Sequence, residues 1–300
     1  MSDPLDTATT EFARHREMLF AIVYNLLGTV ADTEDVLQET WLSWTSARGE
    51  HINDVRAYLA RIAVNAALSR LRRARHEAYV GPWLPEPVVT DAADDVVRAD
   101  TVSLGLLVVL ETLSPLERAV FVLRESFGYE HAEIAEMLGR SPAAVRQLAH
   151  RAREHVHARR PRFSPAPAVR RKVTERFLAA AAGGDLTALM EVLAPDVTLW
   201  TDGGGTRRAA HRPILGRDKV GRLLASVAPD FPAELDIRHL DLNGEPGVAI
   251  VDGDRLFAVV VIELSPEDGR IRAIYGLVNP AKLTGVADAL GLVTDAPAAP

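Results

Sequence analysis

The chain has 300 residues, a formal net charge of −7 and an apolar fraction of 48%, enough for two or three domains with hydrophobic cores. It contains no cysteine, which excludes disulfide bridges, thiolate metal sites and cysteine redox switches. No apolar run reaches the ~18 residues of a membrane span and no export leader is evident, so we expect a cytoplasmic protein with no membrane partner.

Residues 11–77 have the periodicity of three amphipathic helices. The second of these, which we expect Asp32 to cap, has large apolar side chains on its inner face and acidic and polar ones on its outer face. The outer residues, at spacings of three and four, are Asp35, Gln38, Glu39 and Leu42. Carboxylates beside an apolar side chain suit a partner protein that presents arginines, although many acidic faces are only solvated.

The third helix, from Asp54 to about Arg75, places polar and basic residues along one line. The residues that we assign to nucleic acid are Arg61, Asn65, Arg72 and Arg73. The family resemblance given below implies that this line binds melted DNA, for which these residue types supply a polar reader for an unstacked base and cations for the displaced backbone. Asn65 is the predicted base reader, and the alternative is an ordinary polar surface residue.

Residues 78–104 lose helical periodicity, turn acidic and contain three prolines, which is typical of a linker. Inside it lies the motif WLPEP, residues 83–87. An exposed linker gains nothing by displaying a tryptophan, so we expect this motif to dock elsewhere on the chain with Trp83 as the anchor. The alternative is a local apolar pad against the neighbouring helices.

Residues 105–161 predict a helix-turn-helix that binds DNA. Its first helix ends at Gly139, and its second begins with Ser141 as the N-cap and Pro142 in the first turn. The second helix turns small, polar and basic residues outward, as a helix in the major groove does, whereas the alternative is a solvated basic helix. The residues assigned to DNA are Ser141, Ala144, Arg146, Gln147, His150, Arg151 and Arg153. Arg146 and Gln147 suit guanine and adenine edges, and Arg151 and Arg153 suit phosphates.

A second break, at residues 162–168, separates the helical part from an α+β domain at 169–291, which a tail at 292–300 follows. Capped or glycine-ended helices are predicted first, and a curled antiparallel sheet follows. The strand-like runs are 197–201, 234–242, 247–264 and 270–278. The sequence DGGGT, at 202–206, can take positive φ angles and lets another segment approach closely.

These features resemble the extracytoplasmic-function sigma factors, the dissociable specificity subunits of bacterial RNA polymerase. Residues 32–44, DTEDVLQETWLSW, are similar to the polymerase-binding helix of that family, and residues 56–73 are similar to the helix that reads the melted promoter. The resemblance implies that residues 1–77 bind core RNA polymerase and the proximal promoter element, and that residues 105–161 bind the distal element. It implies promoter-specific transcription initiation.

The remainder resembles the SigJ-like subgroup, in which a SnoaL-like domain follows the two sigma domains. The signatures are WLPEP, DGGG and NPAKL at 279–283, where Ala281 replaces a more usual acidic residue. The resemblance implies that the appended domain controls the sigma domains in place of a separate anti-sigma protein. The residues expected to hold the linker are Trp83, Leu84, Pro85, Asp202, Gly203, Gly204, Gly205, Asn279, Pro280, Lys282 and Leu283. The residues leave open whether docking inhibits or enables transcription.

SnoaL-like domains include isomerases and cyclases, which need a buried acid or base. The candidates here are Asp202, His211, Asp236, His239 and Tyr275. They form no recognisable pair in the sequence, so we expect no enzyme activity, metal or cofactor. Two alternatives remain open: a ligand-responsive helix-turn-helix regulator that does not join polymerase, and an isomerase or cyclase fused to DNA-binding helices. A small-molecule ligand in the cup is compatible with each of these functions.

Overall fold

The computed structural model describes residues 4–46, 52, 54–74, 79–90, 102–159, 165–230 and 236–294. The chain divides into two compact units, one from residues 1–78 and 91–161 and the other from 79–90 and 162–300. Parts of the predicted linkers and tail, at 78, 91–101, 162–164 and 295–300, lie outside the described residues. Most of the described linker, including WLPEP, therefore belongs to the second unit.

The first unit begins with three helices, as the periodicity predicts. They are α1 (Pro4–Leu27), α2 (Val30–Ser46) and α3 (Val55–Ala74). Each packs on the other two around buried apolar residues such as Leu19, Val36 and Leu59. The predicted capping role of Asp32 is wrong, because α2 begins two residues earlier; Asp32 lies in its first turn, where it accepts a hydrogen bond from Thr29 Oγ1 at 2.6 Å.

The remaining helices of this unit contain the predicted helix-turn-helix. They are α4 (Leu104–Leu110), α5 (Pro115–Phe121), which continues into a π-type turn, α6 (His131–Leu138) and α7 (Pro142–Arg159). Gly139 ends α6 with a left-handed φ of 61°, and Ser141 Oγ accepts a hydrogen bond from the Ala144 amide at 3.2 Å. Both local predictions are confirmed, because a glycine and a serine satisfy the free backbone groups at these helix ends.

The second unit is α+β, as predicted. Its helices are α8 (Pro167–Ala182), α9 (Leu186–Val192), α10 (Arg217–Val227) and α11 (Pro280–Leu290). Its strands are β1 (Leu193–Asp202), β2 (Ile214–Leu215), β3 (Asp236–Leu242), β4 (Glu245–Asp252), β5 (Arg255–Leu264) and β6 (Ile271–Leu277). The core lies between one face of the sheet and helices α8, α9 and α10. Of the described helices in either unit, none is long and apolar enough to cross a membrane.

The six strands have the order β2-β1-β6-β5-β4-β3. The prediction of a wholly antiparallel sheet is wrong at one place, because β1 and β6 run parallel. Short turns force β3 to β6 into antiparallel neighbours, whereas no turn joins β1 to β6, so their direction is set by packing. Helix α11, which follows β6 directly, was also not predicted, although Asn279 as N-cap and Pro280 after it are ordinary start signals.

Candidate functional site

The acidic face of α2 is exposed, as predicted for a partner-binding surface. Asp35, Gln38 and Glu39 face solvent, and Leu42 is 63% exposed. Arg70 of α3 lies across this face, with its guanidinium nitrogens 3.2 Å from Asp35 and 3.1 Å from Glu39. The same arginine also pairs with Asp32, at 2.9 Å. Because three carboxylates surround one arginine, the α2 face keeps a net negative charge. The ion pairs also orient these carboxylate side chains.

The predicted nucleic-acid line of α3 is exposed at Arg61, Asn65, Arg72 and Arg73. Arg61 also places its guanidinium 5.3 Å from the centre of the Tyr58 ring. Asn65 contacts the helix-turn-helix, since its Nδ2 donates to the Met137 carbonyl of α6 at 2.9 Å. The predicted base reader is therefore engaged by α6 in this arrangement.

Buried polar contacts fasten the first three helices to the following four. Arg118, 2% exposed, donates through Nε to the Asn25 carbonyl at 3.1 Å and pairs with Glu111. The Asn25 side chain accepts from the Val102 amide at 3.2 Å. We call this packing of α1–α3 against α4–α7 the closed arrangement. Its contacts include Asn65, so exposing that side chain fully requires α6 to move away.

The α7 surface predicted to bind DNA is partly engaged in ion pairs within its own unit. Arg146, Gln147 and His150 are exposed on one side. Arg151 Nε lies 3.2 Å from Glu117, and Arg153 Nη2 lies 2.6 Å from Glu125. Ser141 serves as the helix cap, and Ala144 is half-buried. Arg146 and Gln147 thus present the readiest surface for base edges, whereas Arg151 and Arg153 already bind carboxylates of their own unit.

In the second unit the linker is held by a buried carboxylate, that of Asp202 at the end of β1. This residue is 1% exposed. Its Oδ1 accepts from the Tyr79 hydroxyl at 2.6 Å, and its Oδ2 accepts from the Leu84 amide at 2.9 Å and from Lys282 Nζ at 2.8 Å. Because a buried carboxylate is costly unless it is paired and hydrogen-bonded, these partners make the linker part of what stabilises Asp202.

Lys282 of α11 completes the same cluster. It is 7% exposed, and its Nζ donates to the Leu84 carbonyl at 2.6 Å as well as to Asp202. The ammonium lies 4.3 Å from the centre of the Trp83 ring and 4.8 Å from that of Tyr79. A carboxylate, a carbonyl and two ring faces therefore surround the buried cation. The carbonyl and both rings belong to the linker.

Tyr79 joins this cluster to the start of α11. Although Tyr79 is 41% exposed, partial burial followed by the hydrogen bond with Asp202 raises the pKa of its hydroxyl above the ordinary value, so this group remains a donor. Asn279 donates through Nδ2 to Tyr79 Oη at 3.1 Å and caps α11 by accepting from the Ala281 amide at 3.1 Å. We call the set Tyr79, Leu84, Asp202, Asn279 and Lys282 the linker latch.

A second attachment lies at the far end of the held segment. Val89 pairs with Leu242 as an isolated antiparallel bridge. The Asn243 amide donates to the Val88 carbonyl at 2.8 Å, and the Thr90 amide donates to the Asp241 carbonyl at 3.0 Å. The linker therefore adds a single antiparallel β-bridge at the end of β3.

The glycine loop makes the close approach sterically feasible. Gly204 has a φ of 60°, and a Cβ there would overlap the side chain of Asn279. A Cβ at Gly203 would overlap the Arg207 carbonyl, while Gly205 lies against Val80 of the linker. Trp83, the expected anchor, is half-buried with its ring beside Lys282, whereas Leu84 is 0% exposed. The other residues expected to hold the linker are also buried: Pro85, Pro280 and Leu283.

The five candidate catalytic residues have separate surroundings. Asp202 belongs to the latch, and His211 is exposed. Asp236 pairs with Arg238 at 2.9 Å, and His239 Nε2 lies 3.4 Å from Glu175. Tyr275 is buried within β6. The structure therefore does not bring these five residues together as one site in the described part of the chain.

Comparisons with known proteins show what the helical unit is. Residues 12–77 match the family model described as Sigma-70 region 2, and residues 103–156 match the one described as Sigma-70, region 4. The ECF RNA polymerase sigma factor SigJ of Mycobacterium tuberculosis is 41% identical over 292 residues, covering 92% of this chain and 93% of its own length. The chain belongs to the extracytoplasmic-function (ECF) sigma factors.

Other relatives extend the similarity of this sigma factor over the whole chain. The probable ECF sigma factor SigI of the same organism is 32% identical, with 95% of this chain and 98% of the relative covered. The crystal structure of M. tuberculosis SigJ matches with a TM-score of 0.72 and 36% identity, covering 92% of this chain and 98% of the other. The predicted architecture, two helical sigma regions followed by an α+β domain, is confirmed.

Family membership confirms the sigma-factor function that the sequence resemblance implies. Sigma factors bind core RNA polymerase and promoter DNA and direct transcription initiation, and the relatives are sigma factors rather than enzymes. The region 2 match contains both α2 and α3, and the region 4 match contains the helix-turn-helix up to residue 156.

Sequence reasoning missed several residues that build these sites. Arg70, Arg118 and Asn243 carry no motif, and their roles depend on which helix or strand packs opposite them. Tyr79 could have been found, because a second aromatic residue four positions before Trp83 is as unexpected in an exposed linker as the tryptophan itself.

Proposed function

We propose that this ECF sigma factor is regulated in cis by its C-terminal domain, which holds the linker between regions 2 and 4 through the latch. In this proposal, Asp35, Gln38, Glu39 and Leu42 bind core polymerase. The α3 residues Arg61, Asn65, Arg72 and Arg73 contact the proximal promoter element, and the α7 surface contacts the distal one. A separate anti-sigma protein is then not needed for control.

The latch is the observation that carries this proposal. A surface loop that only connects two domains would not supply a buried amide, a buried carbonyl and two aromatic rings to another domain's ion pair. Here Leu84 bonds to both members of the pair, and Tyr79 bonds to the carboxylate. Removing the linker would leave Asp202 and Lys282 with fewer hydrogen-bond partners, so the C-terminal domain gains stability by binding this segment.

Holding residues 79–90 changes what the linker can do. A chain segment spans at most about 3.5 Å per residue, so every residue held on one domain is removed from the length that joins region 2 to region 4. Promoter recognition needs both regions on DNA at once, and their separation then depends on the free part of the linker. The latch thus gives the C-terminal domain control over a distance that initiation requires.

The closed arrangement supports a two-state mechanism. Asn65 is bonded to α6 of region 4, so full access of promoter DNA to the α3 line requires regions 2 and 4 to separate. An equilibrium between closed and separated forms can be biased by any restraint that differs between them, and linker length is such a restraint. The latch and the contacts between regions 2 and 4 are the two sets of interactions that would determine this equilibrium.

The test uses the full chain with core polymerase. Lys282→Met keeps much of the side-chain volume and removes the charge, so the latch should open. Start-site mapping on fragmented genomic DNA of the source bacterium should show transcript yield changed at least fivefold, with core polymerase affinity within twofold. Lys219→Met, an exposed lysine of α10, is the matched control and should change neither quantity.

The direction of the change identifies what the latch does. An increase would show that it favours the closed arrangement, and a decrease would show that it maintains the linker length that promoter binding requires. Unchanged yield in a folded Lys282→Met protein would contradict the proposal.

A further inference from the structure

The C-terminal unit encloses a cavity of about 440 Å³. Its walls come from α8, α10 and one face of the sheet, with apolar residues such as Phe177, Leu224, Phe257 and Ile274. A concave, mostly apolar space within the ~300–1,000 Å³ range is typical of small-molecule sites.

The charged side chains among the described lining residues are all positive. Among the described residues that line the cavity, Arg207 and Arg208 are the charged ones, and none is an aspartate, glutamate, histidine or lysine. The Arg207 guanidinium lies 5.6 Å from the centre of the Phe257 ring, which is itself part of the wall. Guanidinium groups at the edge of an apolar space favour a carboxylate, sulfonate or phosphate on a ligand whose remainder is apolar.

The same lining favours binding over catalysis. Proton abstraction needs a positioned base, and the residue types that usually serve are missing from the described wall. Thr201, a hydroxyl residue of the lining, already accepts a hydrogen bond from the Ala210 amide at 2.8 Å. The five catalytic candidates from the sequence are not among the lining residues either.

The loop from 201 to 210 has the cavity on one side and the linker on the other. Thr201 lines the cavity, and the next residue, Asp202, is the centre of the latch. Ala210 also lines the cavity, and a Cβ at Gly81 of the linker would lie 3.6 Å from the Ala210 carbonyl. Val278, another lining residue, donates its amide to the Asp202 carbonyl at 2.9 Å. A molecule that moves this loop therefore acts on residues that hold the linker.

We propose that the cavity binds an apolar small molecule with one anionic group held by Arg207 and Arg208, and that its occupancy changes how firmly the latch holds the linker. The second half of this inference rests on the proposed function. The first half concerns the cavity alone.

Two dyes with the same ring system test the binding site. 1-Anilinonaphthalene-8-sulfonate carries a sulfonate, and N-phenyl-1-naphthylamine lacks it. The sulfonate dye should bind the full chain saturably at one site and more tightly than the neutral dye. Arg207→Gln should weaken the sulfonate dye roughly tenfold, the effect of losing one charged hydrogen bond, and leave the neutral dye within twofold. Arg207→Lys, which keeps the positive charge, should lose less.

Two further variants locate the dye. Arg212→Gln changes an exposed arginine of the neighbouring loop that does not line the cavity, and it should leave both affinities unchanged. Ala258→Phe places a ring into the cavity and should abolish binding of both dyes in a protein with an unchanged far-ultraviolet spectrum. Equal affinity for the two dyes, or sulfonate-dye binding that survives Ala258→Phe, would overturn the binding site.

Amide hydrogen exchange of residues 79–90 tests the coupling. Saturating sulfonate dye should change exchange at the Leu84 amide at least threefold in the unmodified chain and not in Arg207→Gln at the same dye concentration. Dye binding as predicted without a change in exchange would overturn the coupling and leave the site intact. If the dye binds and changes exchange as predicted but Lys282→Met leaves the transcript yield unchanged, the proposed function is overturned and this inference stands.

Discussion

At the residue scale, the molecule depends on how one buried carboxylate is satisfied. Asp202 accepts hydrogen bonds from a tyrosine hydroxyl, a lysine ammonium and two backbone amides, those of Leu84 and Gly204. The sequence could indicate that WLPEP, DGGG and NPAKL belong together, through the family resemblance. It could not indicate that Leu84 rather than Trp83 is the buried residue, because tryptophan is the larger apolar side chain and hydrophobicity alone favours it.

Asp202→Asn keeps the shape of the side chain and removes its charge, so it should loosen the latch without filling or emptying space. A hydrogen bond to a charged group contributes about 1.5–3 kcal/mol, so the Leu84 amide should exchange with solvent at least roughly tenfold faster. Hydrogen exchange measured by NMR or mass spectrometry over residues 79–90 checks this. Asp254→Asn, whose side chain is 84% exposed, is the control and should leave the rate unchanged. Equal rates in all three proteins would show that Asp202 does not hold the linker.

At the scale of elements, helix ends were predictable and helix partners were not. Gly139 and Ser141 act where the sequence placed them, because capping depends on neighbours along the chain. The pairing of Arg70 with α2, of Asn65 with α6 and of β1 with β6 depends on elements distant in the sequence. The residue pattern of one helix or strand does not indicate which distant element packs against it.

The α2 face should bind polymerase through its charge. Asp35→Arg combined with Glu39→Arg should lower core polymerase affinity at least tenfold in a pull-down or anisotropy titration, because it reverses the sign of the surface. The fold should survive, since exposed ion pairs of the kind made with Arg70 contribute only about 0–1 kcal/mol each. Glu17→Arg with Glu136→Arg alters the net charge equally at other exposed positions and should retain binding. Retained affinity in the α2 variant would exclude this face.

The α7 surface should separate base reading from phosphate binding. Arg146→Ala should reduce discrimination between the mapped promoter and a scrambled duplex by roughly tenfold, as expected from ~1–3 kcal/mol for a base contact. Arg153, already paired with Glu125, should on change to alanine weaken both duplexes alike and by a smaller factor. Binding titrations at fixed salt measure both ratios. The opposite pattern would reverse the assignment of the two arginines.

At the scale of the whole molecule, chain order predicted the architecture but not the division of the linker. Helices first and an α+β domain last follow from periodicity alone, and the two sigma regions follow from their motifs. The linker segment 79–90 nevertheless belongs structurally to the C-terminal unit, although it lies between the two halves of the helical unit in the sequence. The segment that connects the two sigma regions is therefore bound by the C-terminal domain.

Because the chain contains no cysteine, an engineered disulfide can test reversibly whether holding the linker on the C-terminal domain controls transcription. Val89 and Leu242 face each other as a non-hydrogen-bonded antiparallel pair, in which Cα atoms are about 4.5 Å apart, within the range of a disulfide. Val89→Cys with Leu242→Cys should therefore lock the linker on the C-terminal domain when oxidised, and reduction should leave it held by the native contacts alone. The reduced form of the same protein is the matched control.

The most direct measurement is transcript yield with core polymerase for the oxidised Val89→Cys/Leu242→Cys protein against Lys282→Met, one permanently held and the other unlatched. The account predicts yields that differ at least fivefold at equal polymerase affinity, with reduction returning the cysteine variant to the yield of the unmodified chain. Equal yields from the held and unlatched proteins would contradict it.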